Sequence, residues 1–208
     1  MSALTLPARI YLLACDTDRH RLRGHDIEIV VRAALLAELN LRGCLVEEGR
    51  VVRSDNSRRT GDALLDDELR IMSESRPRGW RAWLHQGARS TLAAVRDQLA
   101  SAGLITVDRS RRLGVFPVTR VTPTGPAQVA ALREFVLEAV RGTGPVSAVS
   151  TEDATLVALV AVGELRTVLS RTDRWTHRAR IAEFTERGGD VVVALRRVVR
   201  RRRSARSS

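Results

Sequence analysis

A mainly α fold, a compact helical bundle with one or two small β-hairpins, is what this sequence predicts. Apolar residues recur every three or four positions through several long stretches, the period of one helix face. Aromatic residues make up only 3% of a chain that is 44% hydrophobic, so the core is built from Leu, Val and Ala, which suits packed helices better than aromatic-rich strands. At 208 residues the chain is long enough to bury a sizeable core in one unit.

The elements follow in chain order. Over residues 26–41, Ile27, Val30, Val31, Ala34, Leu35 and Leu39 form one apolar stripe, and Gly43 stands where a left-handed C-terminal cap belongs. Residues 45–52 read as two short strands around Gly49, the first hairpin. A polar loop then leads to Asp62, placed to cap a helix whose early turns hold Asp66, Asp67 and Glu68, where the macrodipole favours negative charge. Pro77 and Gly79 break that helix, and Trp80 and Trp83 open the next on a shared face, as core anchors.

Leu92, Val95, Leu99 and Ala102 give a further stripe ended by Gly103. Residues 104–107 and 113–116 are expected as a second hairpin with a polar tip at 108–112, followed by an extended connection through Pro117, Pro123 and Pro126. Residues 128–141 form an amphipathic helix closed by Gly142 and Gly144. The run 156–162 is apolar on every side, the pattern of a helix buried all round at the centre of the core. Two more helical segments cover 175–185 and 191–200. The expected division is a single helical domain at 1–195 and a disordered arginine-rich tail at 196–208.

Charge is the loudest compositional signal. There are 35 arginines and no lysine against 24 acids, a net charge of +11. Seven arginines fall in the acid-free tail, leaving +4 on the remainder. Such a tail attracts phosphate on lipid or nucleic acid alike, an auxiliary anchor with no aromatic or apolar partner of its own. Cys15 and Cys44 read as two free thiols in a reducing compartment. No apolar run reaches the length of a membrane span, and residues 10–15 lack the charged n-region of a signal sequence.

Chemistry-bearing motifs are scarce. His20, His25, His85 and His177 have no metal-ligand spacing, and phosphate-loop, dinucleotide and nucleophile-elbow patterns are missing, so the expectation is no enzyme, no metal and no cofactor. Arg32 and Arg96 interrupt apolar stripes, where a charge either snorkels or faces a shared pocket. Converging guanidinium groups from two helices would form a fork-shaped phosphate site.

Several segments, taken in order, carry a likeness to a known family: Leu4-Thr5-Leu6, residues 10–13, 30–43 and 60–69, Trp83-Leu84, residues 95–99 and Gly103-Leu104-Ile105. Together they resemble the Golgi phosphoprotein 3 family of helical peripheral membrane adaptors, and the likeness covers most of residues 4–195. It implies a site for a phosphatidylinositol 4-phosphate-like headgroup on an anionic phospholipid membrane, with Arg32 and Arg96 on two of the family's arginines. Ala93 stands where a further arginine is expected, Arg89 is placed to compensate, and Arg23 or Gly24 stands where the family has tryptophan. The second hairpin, through Leu113, Val115 and Phe116, is implied as a membrane or oligomer contact. Protein clients, a homo-oligomer and a cytoplasmic location at the inner face of a membrane belong to the same expectation. The alternative is a winged-helix DNA-binding regulator, with residues 92–102 as recognition helix and Arg109, Arg111 and Arg112 on the wing.

Overall fold

In the computed structural model, which describes residues 4–55, 57–112 and 116–207, the chain is mainly α with three small antiparallel two-stranded sheets. The order is α1 (Leu6–Ala14), β1 (Cys15–Asp16), β2 (Arg21–Leu22), α2 (Ile27–Leu41), β3 (Leu45–Glu48), β4 (Val51–Ser54), α3 (Ala63–Ser73), α4 (Trp80–His85), α5 (Ala88–Ser101), β5 (Ile105–Arg112), β6 (Phe116–Pro123), α6 (Pro126–Arg141), α7 (Thr151–Val162), α8 (Arg171–Thr176), α9 (Arg178–Arg187) and α10 (Gly189–Ser207).

Two buried helices organise the rest. In α7 every residue from Ala154 to Ala161 is buried, and α1, α2, α6, α9 and α10 all pack on it. In α2 burial runs nearly unbroken from Ile27 to Leu39, against α1, α5, α7 and α10. The two approach closely at Gly163, where a Cβ would lie 2.7 Å from the Val30 side chain and from the Leu159 carbonyl, so only glycine fits.

Local signals set the helix ends. Gly43 (φ +67°) and Gly103 (φ +69°) take the left-handed conformation just beyond α2 and α5. The Asp62 carboxylate accepts the amides of Leu64 and Leu65 at the start of α3, and Ser150 caps α7 by accepting from Asp153. Trp83 is fully buried and donates its Nε1 to the Val52 carbonyl at 3.0 Å, tying α4 to the first hairpin. Trp80 is 8% exposed, so both act as core anchors.

Two expectations are corrected. The second hairpin is longer than its apolar pattern indicates: β5 and β6 pair from Ile105–Pro123 to Arg112–Phe116, so 108–112 lies within a strand and 117–123 is strand and not connection. In an isolated two-stranded ribbon each strand has an open edge, so Pro117 and Pro123 fit without costing a ladder bond. The segment 196–207, expected as part of a disordered tail, is helical and forms the end of α10. Buried Val191, Val192, Leu195, Val198 and Val199 hold α10 on the core, and Asp26 receives Arg202 and Arg206, each at 2.7 Å.

Candidate functional site

Arg89, Ala93 and Arg96 share one face of α5, at i, i+4 and i+7. With Leu92, Tyr11 of α1, Leu22 of β2, and Thr119 and Val121 of β6, they line an open groove of about 250 Å³. The β6 wall is held in place by the loop before β2. The His20 carbonyl accepts from the Val121 amide at 2.8 Å, and its ring Nδ1 lies 2.9 Å from the Thr122 hydroxyl. Ala93 leaves the middle of the groove uncrowded, between two guanidinium-bearing positions.

Arg89 is exposed and Arg96 half-buried. Arg96 donates its Nε to Asp97 at 2.8 Å, a carboxylate 61% exposed, so water competes for that pair. Tyr11 is buried beneath them. Burial first, and the neighbouring Cys15 second, push its phenol well above the ordinary value, so it presents a neutral hydroxyl. Cys15 is likewise raised by burial, to about 12, which leaves it an unreactive thiol at neutral pH.

Of the four arginines expected in one site, the fold brings together Arg89 and Arg96. Arg23 follows Leu22 of the groove wall and directs its Nη1 to Asp16 at 3.3 Å. Arg32 is elsewhere. It is 1% exposed, donates from Nε to the Trp83 carbonyl at 3.0 Å and from Nη1 to the Thr91 hydroxyl at 3.1 Å, and forks onto both oxygens of Glu68. Its guanidinium therefore joins α2, α3, α4 and α5 from inside, with little capacity left for an external ligand. Leu113 and Val115 lie outside the described residues; Phe116 opens β6 opposite Arg112.

Helical periodicity sorts the arginines of α10 onto three faces. Arg202 and Arg206 turn to Asp26. Arg197 and Arg201 border a groove of about 600 Å³ that also holds Glu47, Trp80 and Asp190. Arg196, Arg200 and Arg203 line a third groove, of about 490 Å³, opposite Arg171, Arg174, Trp175 and Arg178. Trp175 is 71% exposed, and nothing in the sequence pattern marks it as part of a groove, because half of the arginines lining that groove come from a helix more than 20 residues away. Three tail arginines, expected to have no aromatic or apolar partner, thus share a groove with one exposed ring and with Ile181 and Val199.

No helix among the described residues is long and apolar enough to cross a membrane. A comparison with curated proteins returns no match. The family model described as Golgi phosphoprotein 3 (GPP34) matches residues 6–202, nearly the whole fold from α1 into α10, and the chain belongs to that family.

Proposed function

We propose that this chain is a non-enzymatic peripheral membrane protein that binds anionic phospholipid headgroups of the phosphatidylinositol 4-phosphate type. The contact is the groove between Arg89 and Arg96. One observation carries the reading: two guanidinium groups stand on one face of α5, flanking the small Ala93, over a neutral tyrosine and open to solvent. A phosphate entering there meets the guanidinium groups of Arg89 and Arg96, the second by displacing the solvent-exposed Asp97 carboxylate, which lies outside the groove lining. Family membership supports a membrane adaptor over a catalyst. In the same proposal the protein sits at the inner face of a membrane from the cytoplasm, with protein clients and self-association through the β5–β6 hairpin at Leu113, Val115 and Phe116.

The DNA-binding alternative lacks comparable support. On α5, Gln98 donates to Asp62 at 2.9 Å and is committed within the fold, so it is not free to read a base edge.

Vesicle sedimentation of Arg89→Gln/Arg96→Gln tests the proposal. Charge-assisted contacts contribute about 1.5–3 kcal/mol each, so affinity for anionic vesicles should fall at least tenfold for each arginine lost. Unchanged binding by the double variant would refute it.

A further inference from the structure

The groove between α8, α9 and α10 concentrates positive charge beyond what its own acids neutralise. Six arginines line it, Arg171, Arg174, Arg178, Arg196, Arg200 and Arg203, against one carboxylate, Glu164, which lies 3.2 Å from Arg203. Arg171, Arg196 and Arg200 have no carboxylate within ion-pairing distance among the described residues. The crowding is felt at Arg174, which donates to the Leu169 carbonyl at 3.1 Å. Desolvation lowers its pKa, Glu164 opposes that, and the fields of Arg166, Arg171 and Arg203 lower it further.

Two more features define what such a groove accepts. Its floor is apolar, formed by Ala161, Val162, Ile181, Ala182 and Val199. At its mouth Trp175 stands 71% exposed, with the Arg178 guanidinium 5.4 Å from the ring centroid. The Ser170–Asp173 capping box fixes the short helix that presents this ring. An exposed indole beside arginines over an apolar floor suits an amphiphilic anion: phosphate against the guanidinium groups, ring and floor against the glycerol and first methylenes. Single-stranded nucleic acid would call for successive stacking rings along a track, and the lining has one.

We infer that this groove is a second membrane contact, in which Arg171, Arg196 and Arg200 engage phosphates of an anionic bilayer while Trp175 seats at headgroup depth. The inference rests on the reading of the chain as a peripheral membrane protein, but on residues separate from the Arg89–Arg96 groove. Arg196, Arg200 and Arg203 of the tail are then half of the arginines of a built site and not a diffuse anchor.

Trp175 is also its own reporter, because Trp80 and Trp83 are 8% and 0% exposed. Tryptophan fluorescence of the full chain is followed with neutral phosphatidylcholine vesicles, with vesicles containing phosphatidylserine or phosphatidylinositol 4-phosphate at equal total charge, with lipids brominated on the acyl chain, with inorganic phosphate and with a single-stranded oligonucleotide. The expected result is a blue shift and bromine quenching on anionic vesicles alone, both lost in Trp175→Phe. Arg171→Gln/Arg196→Gln/Arg200→Gln should weaken vesicle binding by about a hundredfold, the conversion of about 1 kcal/mol for each arginine near an anionic surface. Arg89→Gln/Arg96→Gln should need more lipid to reach saturation but then give the same Trp175 shift. Parent-like affinity in that variant, with affinity lost in the triple variant, counts against the Arg89–Arg96 groove and not against this one. Emission that stays solvent-like while the protein sediments with vesicles, or no vesicle response at all, overturns the inference. An equal shift with inorganic phosphate, or a shift with the oligonucleotide only, reassigns the groove to a soluble anion or to nucleic acid and overturns it as well.

Discussion

Replacing Arg32 with Ala should unfold this protein more readily and leave its membrane affinity unchanged once folded. The Arg32 and Glu68 side chains are 1% and 7% exposed, and the guanidinium bonds both carboxylate oxygens together with Trp83 and Thr91. Loss of one partner strands a buried carboxylate and orphans a carbonyl and a hydroxyl, and breaking such a pair costs about 3–5 kcal/mol. For a chain of this length that is a fall in Tm of roughly 6–20 °C. Because the penalty arises from the charge left behind, Arg32→Leu combined with Glu68→Leu should recover much of it, whereas either single change should not. Urea unfolding of the three variants measures the stability, and vesicle sedimentation at low temperature measures binding. An Arg32→Ala variant that loses less than about 1 kcal/mol of stability and more than tenfold of vesicle affinity would refute the argument. It would return Arg32 to the headgroup site.

Two further outcomes follow from the ion-pair geometry. Asp26→Ala removes the carboxylate that receives Arg202 and Arg206, whose side chains are 34% and 48% exposed. The expected effect is a loss of no more than about 1 kcal/mol, with fraying of the last turns of α10, read by hydrogen exchange as faster amides beyond Arg200; unchanged exchange there would count against the pairing. The Asp66 carboxylate is held below its ordinary pKa chiefly by the Thr60 amide, with the Thr60 hydroxyl and Gly61 amide adding to it against an opposing desolvation. A depressed carboxyl contributes stability above the unfolded value of about 3.9 and loses it as pH falls through the lower folded value, so Asp66→Asn should flatten the acid limb of the stability profile, and an unaltered limb would contradict this.

Much of the helical frame was legible from residues close together in the chain. The apolar stripe of α2 with Gly43 beyond it, Asp62 at the head of α3, the stripe of α5 ended by Gly103 and the all-round apolar run of α7 each depend on neighbours within a few turns. The i, i+7 relation of Arg89 and Arg96 is likewise a local fact. Order along the chain also carried the family likeness that the match over residues 6–202 establishes.

Tertiary structure decided the questions that turn on partners far along the chain. An arginine beside an apolar stripe is compatible with a ligand site or an internal pair, and Glu68, 36 residues from Arg32, settles the geometry in favour of the pair. The arginine-rich end has the composition of a solvated tail, yet Asp26, some 176 residues before Arg202, and a buried valine face make it a helix. The hairpin register depends on which strand residues meet across the ladder, not on where apolar residues cluster. Trp175 has Arg178 beside it locally, but it shares a groove with Arg196, Arg200 and Arg203 only because α10 folds back along α9. Periodicity reports which face of a helix is buried, whereas the groups that meet across helices depend on long-range packing, and that is where the charges of this protein find their roles.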